Sequence, residues 1–257
     1  MQPSSPHRLQ LFCFPHAGAS ALGYSRWQRR VSQDVRIVPV ELPGRGRRWG
    51  EALCRDIGSV VDDLAGSLRR EIAGPYVLFG HSLGALLAFE VAHALRAGKT
   101  PIPVALFASG CSAPTLRDSD RYAAERSDAE LIAELSDLGG TSAEILANAE
   151  WMAMTLPVLR ADYRVCASYR PVPRLPLACP LHVFGGRNDE TTRDRLAAWS
   201  SETSGPCTID WFDGGHFFLH DAEVELLGLI VRYADQSLAR QRSEESRAGQ
   251  SDTVARL

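Results

Sequence analysis

The sequence contains no apolar stretch approaching 18 residues, so a membrane-spanning helix is excluded from its plan. Its start, MQPSSPHRLQ, has no basic stretch followed by an apolar core, and no secretory leader is expected. The six cysteines (Cys13, Cys54, Cys111, Cys166, Cys179 and Cys207) include no C-x-x-C pair, and zinc-binding spacing is absent. Several sit inside apolar runs, as reduced core thiols do, which fits a cytoplasmic protein without metal or cofactor. A surplus of positive charge is also missing. With 28 Lys+Arg against 31 Asp+Glu the net charge is −3, and the arginines are scattered, so nucleic acid is not an expected partner. Lysine is nearly absent, Lys99 being the only one, and this supports no functional conclusion.

What is present suits one large α/β domain. The 257 residues are 45% hydrophobic and 23% charged, ordinary values for a globular chain. Six short apolar, β-rich runs stand out at 9–14, 37–40, 76–79, 104–109, 181–184 and 208–212. Most are apolar on both faces, as strands of a buried parallel sheet are. Helical periodicity lies between them at 24–31, 56–72, 83–96, 193–202 and 222–234. Strand and helix in alternation predict a doubly wound, mostly parallel sheet.

The alternation breaks between Cys111 and Pro180, where helical patterns at 128–138, 143–154 and 156–169 replace strands. An insertion of this size is too long for a plain loop. Its place just after a strand favours a lid, over about 111–175, above an extra structural subdomain. The domain is expected to end near 235. The polar segment 236–257 reads as a disordered tail.

Chemistry is concentrated at the strand ends, where ligands collect in such sheets. The third strand runs into YVLFGHSLGALL at 76–87, a G-x-S-x-G turn followed at once by a helix. That context is a nucleophile elbow, with Ser82 held out at a helix N-terminus. Of the seven histidines, His216 is best placed as base, in the Gly-rich loop after the last strand. His220 is a weaker alternative, and His81 should point away from Ser82. A carboxylate to orient the imidazole is expected after the intervening strand, at Asp189. Asp118 is the serious rival, because the acid can also follow the preceding strand. Glu190 and Asp213 are weaker candidates. Oxyanion donors are expected from the N–H groups of Leu83, just after the nucleophile, and of Ala17 in the small-residue loop after the first strand. His16 either orients that loop or is structural. Arg45, Arg47 and Arg48 either meet a phosphate or an acidic partner, or form a solvated basic loop.

Together these motifs resemble the stand-alone, type II thioesterases of polyketide and nonribosomal peptide assembly lines. The resemblance covers roughly Leu9 to Tyr233 and rests on FPHAGAS at 14–20, VELPGRGRR at 39–48 and GHSLGALLAFEVAHAL at 80–95. LPVLRADYRVCASY at 156–169, FGGRND at 184–189 and GGHFFL at 214–219 complete it. It implies an α/β-hydrolase fold whose opening antiparallel strands are reduced, and a triad of Ser82, Asp189 and His216. It also implies hydrolysis of stalled or mis-primed short acyl units from the phosphopantetheine arm of acyl or peptidyl carrier proteins; separately, a monomer is expected. Asn188 stands where a second acidic residue is common in the family. Two other functions fit the same residues: hydrolysis of small diffusible esters or acyl-CoA, and non-catalytic docking to a carrier.

Overall fold

The computed structural model describes residues 7–254. Residues 1–6, in the start where no leader is expected, and 255–257, the end of the expected tail, lie outside them. Six strands form the sheet: β1 (Leu9–Phe14), β2 (Val35–Pro39), β3 (Tyr76–His81), β4 (Ala105–Ser109), β5 (Leu181–Gly186) and β6 (Cys207–Phe212). Their order is β2-β1-β3-β4-β5-β6, and every neighbouring pair is parallel. The winding direction reverses at β1. The gap beyond the carboxyl ends of β1 and β3 is therefore the crevice in which an open sheet binds ligands.

Eight helices accompany the strands in the described residues: α1 (Leu22–Ser25), α2 (Ile57–Glu71), α3 (Leu83–Ala97), α4 (Asp128–Leu138), α5 (Ala143–Leu146), α6 (Ala149–Ser168), α7 (Arg193–Ala197) and α8 (Glu223–Val254). Short polar side chains start several of them. The Asp56 carboxylate accepts the Ser59 N–H at 2.8 Å, and Asn148 accepts the Trp151 N–H at 3.0 Å. Ser127 and Glu130 form a reciprocal capping box at α4. The helix expected at 24–31 is shorter than its periodicity suggests, because α1 tightens into a 3-10 segment over Arg26–Arg30.

Alternate side chains of the strands feed two cores. Phe12, Phe14, Leu78 and Leu106 pack with Val60 and Leu64 of α2 and Leu86 and Phe89 of α3. Leu9, Leu11, Val77 and Phe107 face the other way, against Trp27 and the α8 residues Leu226, Leu227 and Ile230. A third, smaller cluster of Leu131, Met152, Leu156, Leu159 and Tyr163 holds the inserted helices together.

Two expectations need correction. The periodicity of the insertion predicts a break between 154 and 156, yet α6 runs unbroken through Pro157. Proline in a helix interior costs about 3 kcal/mol. Burying Leu156, Leu159 and Tyr163 on one face returns about 1.5–3 kcal/mol for each large apolar side chain, so continuity wins. The segment from 236 is likewise helical through Val254 rather than a disordered tail. Ala234 and Leu238 extend the buried stripe of Ile230 by one further turn each. No helix among the described residues is long and apolar enough to cross a membrane.

Besides His81, two histidines are buried within this framework. Burial first, then Arg174 and Arg96, pushes the His93 imidazole down to about 3. His182, bonded to the Thr208 hydroxyl at 2.8 Å and stacked on Tyr233 at 4.0 Å, is pushed down to about 4, chiefly by burial.

Leu238→Ala should lower stability by about 2 kcal/mol in urea unfolding. A change below about 0.5 kcal/mol would mean that the residue behaves as an exposed tail. Stability should also fall as pH drops from about 6.5 towards 4. Over that window the unfolded chain protonates His93 and His182, while the folded protein keeps both neutral. Urea midpoints at pH 7 and 5 test this, and His182→Phe should make the slope shallower.

Candidate active site

Ser82 occupies the single position between β3 and α3, at φ 55° and ψ −118°. Positive φ in a residue with a side chain costs about 1–3 kcal/mol and persists only where the surroundings impose it. Here the imposition is visible. The Ser82 N–H donates to the Ser109 carbonyl of β4 at 2.8 Å. A Cβ on Gly80 would overlap the backbone of Gly84 and Ala85, and one on Gly84 would overlap the carbonyls of Phe14 and Pro15. Strand, helix and the end of β1 thus approach as closely as only glycine allows. The 15-residue α3 then points its N-terminus, with the Leu83 N–H, at the space beside Ser82.

The loops after β5 and β6 are laced together. The Arg187 N–H donates to the Phe212 carbonyl, and the Asn188 N–H to that of Gly214, each at 2.9 Å. This lacing sets Asp189 beside His216, whose Nδ1 donates to Asp189 Oδ2 at 3.0 Å. The Thr191 N–H donates to the other carboxylate oxygen at 3.2 Å. Asp189 is 1% exposed and His216 12%, so the pair is largely shielded from water.

The rival residues have other partners, although Asp118 and Glu190 also line the cavity beside Ser82. Asp118 is exposed, and its carboxylate accepts the Arg121 N–H at 3.3 Å rather than an imidazole. Glu190 pairs with Arg121, and exposed Asp213 with Arg187. His220 stacks on Phe217 with ring centres 5.3 Å apart.

Ser82, His216, Ala17 and Leu83 line one cavity of about 120 Å³, together with Leu159 and Tyr163 of α6. Neither Ala17 nor Leu83 gives its N–H to another protein group among the described residues. His16 donates from Nδ1 to the Ala17 carbonyl at 3.0 Å and packs on Phe217, so it orients this loop. Behind Ser82, His81 is fully buried, bonded to the Ser109 hydroxyl at 2.9 Å, with its ring centre 4.9 Å from that of His216. Burial, then the neighbouring imidazoles, holds His81 well below the usual histidine range. Burial first also brings His16 down to about 4. Both are neutral near pH 7 and place no positive charge against His216.

Sequence patterns miss part of this arrangement. Arg45 is buried and forms a two-pronged ion pair with Asp162 of α6 at 2.6 Å. It is therefore neither a solvated residue nor one that meets a partner. Arg48 pairs with Asp63 and Glu51, and only exposed Arg47 faces outward, donating to the Pro39 carbonyl. A usable signal for Asp162 exists in the sequence: an aspartate on the apolar stripe of a helix, between Leu159 and Cys166. Arg117, on the cavity wall, donates to the thiols of Cys111 and Cys166 at 3.3 Å each, which no local motif announces. Among the described residues no group of three or more His, Cys, Asp or Glu side chains is placed to hold a metal ion.

Comparison with known proteins agrees with this architecture. Residues 9–233 match the thioesterase domain family. The chain is 35% identical to the gramicidin S biosynthesis protein GrsT of Aneurinibacillus migulanus, over 89% of its own length and 90% of that protein's. It superposes with a TM-score of 0.80 on RedJ, a thioesterase of the prodiginine biosynthetic pathway in Streptomyces coelicolor. The two share 37% identity over 89% of this chain and 95% of RedJ. BorB, a type II thioesterase from the borrelidin biosynthetic cluster, gives a TM-score of 0.82 at 36% identity over 91% of this chain and 95% of BorB. With the match running from β1 into α8, the chain belongs to the thioesterase domain family and is a thioester hydrolase of the α/β-hydrolase fold.

Proposed function

We propose that this protein hydrolyses short acyl groups from the phosphopantetheine arm of acyl or peptidyl carrier proteins, clearing stalled or mis-primed units from an assembly line. Ser82, His216 and Asp189 act as its triad, and the N–H groups of Ala17 and Leu83 as its oxyanion donors. The observation that carries the reading is the pairing of His216 with Asp189 on one wall of the cavity into which Ser82 projects. The cavity size supports short substrates. About 120 Å³ is close to the roughly 150 Å³ that holds a benzene molecule, enough for a few carbons beyond the carbonyl.

In this mechanism His216 Nε2 takes the Ser82 hydroxyl proton as Oγ bonds to the thioester carbonyl carbon. The carbonyl oxygen becomes an oxyanion facing Ala17 and Leu83. Collapse breaks the C–S bond, and the pantetheine sulfur leaves with the proton from His216. A thiol is a good leaving group, so this protonation matters less than it would for an amide. Water, deprotonated by His216, then attacks the acyl-enzyme and releases the carboxylic acid. Asp189 holds the imidazole in the tautomer with its proton on Nδ1 and stabilises the imidazolium. The chemistry calls for no cofactor, since the substrate brings its own pantetheine arm.

Ser82→Ala should lower kcat by about 10⁶. Asp189→Asn should cost up to about 10⁴, while Asp118→Asn stays within about threefold of the parent. Full activity in Asp189→Asn with loss in Asp118→Asn would reverse the choice of acid. Mass spectrometry of acyl-loaded carrier proteins, run beside matched acyl-CoA and nitrophenyl esters, tests the substrate class. Carrier thioesters should show kcat/KM at least about tenfold higher, and equal or better turnover of the free esters would sink the carrier preference.

A further inference from the structure

One buried carboxylate stands apart from Ser82, Asp189 and His216. Asp162 lies on α6 with its side chain 1% exposed. Its Oδ2 accepts the Gly18 N–H at 2.7 Å and Arg45 Nη1 at 2.6 Å, and its Oδ1 accepts Arg45 Nη2 at 2.6 Å. Arg45 Nη1 also reaches the Ala19 carbonyl at 3.3 Å. A single ion pair thus grips the loop after β1 at two backbone groups, one on each of two successive residues. Gly18 sits at φ 78°, and Leu159 of α6 packs 3.4 Å from where its Cβ would be. With the Gly18 N–H given to Asp162, the neighbouring Ala17 N–H is left unpaired at the cavity among the described residues.

The place of Asp162 along α6 matters as much as its bonds. Leu156, Leu159 and Tyr163 belong to the lid cluster, against which Ala17 itself packs. Val165, Cys166 and Tyr169 belong to the main core. Asp162 lies where the helix passes from one core to the other. Its bonds run from there to the loop after β1 and to the loop after β2.

We propose that Asp162 is a positioning residue for the oxyanion loop. Paired with Arg45, it sets Ala17 so that its N–H faces the reacting carbonyl while α6 is seated, and unseating the lid dissolves the hole. The proposal rests on Ala17 being an oxyanion donor. Charge-assisted bonds in a buried setting are short and directional, and they fix a loop more tightly than neutral ones. A displacement of about 1 Å in such a group is enough to cost about 10²-fold in rate.

Asp162→Asn keeps the shape of the side chain and removes its charge. Its folding is checked by circular dichroism, and it is assayed with a butyryl-pantetheine thioester. A short-chain trifluoromethyl ketone serves as second probe, because Ser82 converts it to a hemiketal whose oxyanion needs the hole. The expected result is a kcat lower by about 100-fold, KM within about threefold, and ketone affinity weakened in step with kcat/KM. Folded Asp162→Asn with kcat within threefold of the parent would overturn the proposal. So would a lower kcat with unchanged ketone affinity, which is what a merely structural pair would give. If Asp162→Asn does not fold, Asp162→Glu keeps the ion pair and pushes the loop outward by one methylene. It should lose at least about tenfold in both readouts, and parental values in both would overturn the proposal. The ratio of ketone affinities reports on Asp162 whichever thioester the protein prefers. Turnover of carrier thioesters reports separately on the function proposed above.

Discussion

The left-handed backbone at Ser82 is the constraint around which the molecule is organised. It exists because β3, α3 and the end of β1 approach to a distance that no Cβ on Gly80 or Gly84 would permit. The strain is small beside what enforces it. Leu86, Leu87, Phe89, Val91 and Leu95 of α3 are all but fully buried, each worth about 1.5–3 kcal/mol against a strain of about 1–3 kcal/mol. The packing of an entire helix therefore stabilises one unfavourable residue. The same approach brings the loop after β1 against the helix N-terminus, so the elbow and the two unpaired N–H groups arise from one piece of geometry.

The buried carboxylates and imidazoles around this elbow are kept by pairing or by neutrality. The side chains of Asp189 and Asp162 are both 1% exposed, and each has both its oxygens occupied by donors. His16 and His81 are neutral near pH 7 because burial disfavours their charged forms. The imidazole of His216 thus has a carboxylate on one side and uncharged rings on another, a setting in which gaining a proton from serine meets no competing cation from those two rings.

Most of this was legible in the sequence because its signals are local. Period-two and period-3.6 patterns locate the sheet and helices within a few residues, and G-x-S-x-G between strand and helix needs no distant partner to be read. Asp189 and His216 could be proposed because parallel strands send their following loops to the same edge. What stayed hidden depends on contacts far apart in the chain. Arg45 in a run of arginines looks solvated until Asp162, 117 residues later, is seen to bury it. Pro157 looks like a helix break until Leu156 and Leu159 are seen to be buried. The polar composition after Gln236 conceals Leu238, whose burial is decided by the sheet face that α8 covers.

The order of the strands has a consequence for the protein as it is being made. Apart from β2, the sheet grows outward in chain order, from β1 through β3, β4 and β5 to β6. Ser82 is therefore synthesised, and its elbow can be built, well before Asp189 and His216 have left the ribosome. With the roles proposed above, a nascent chain carries its nucleophile without the base that would activate it. On the proposed triad, the site is complete only when the loop after the edge strand β6 comes down against that of β5, a closure by the last part of the sheet.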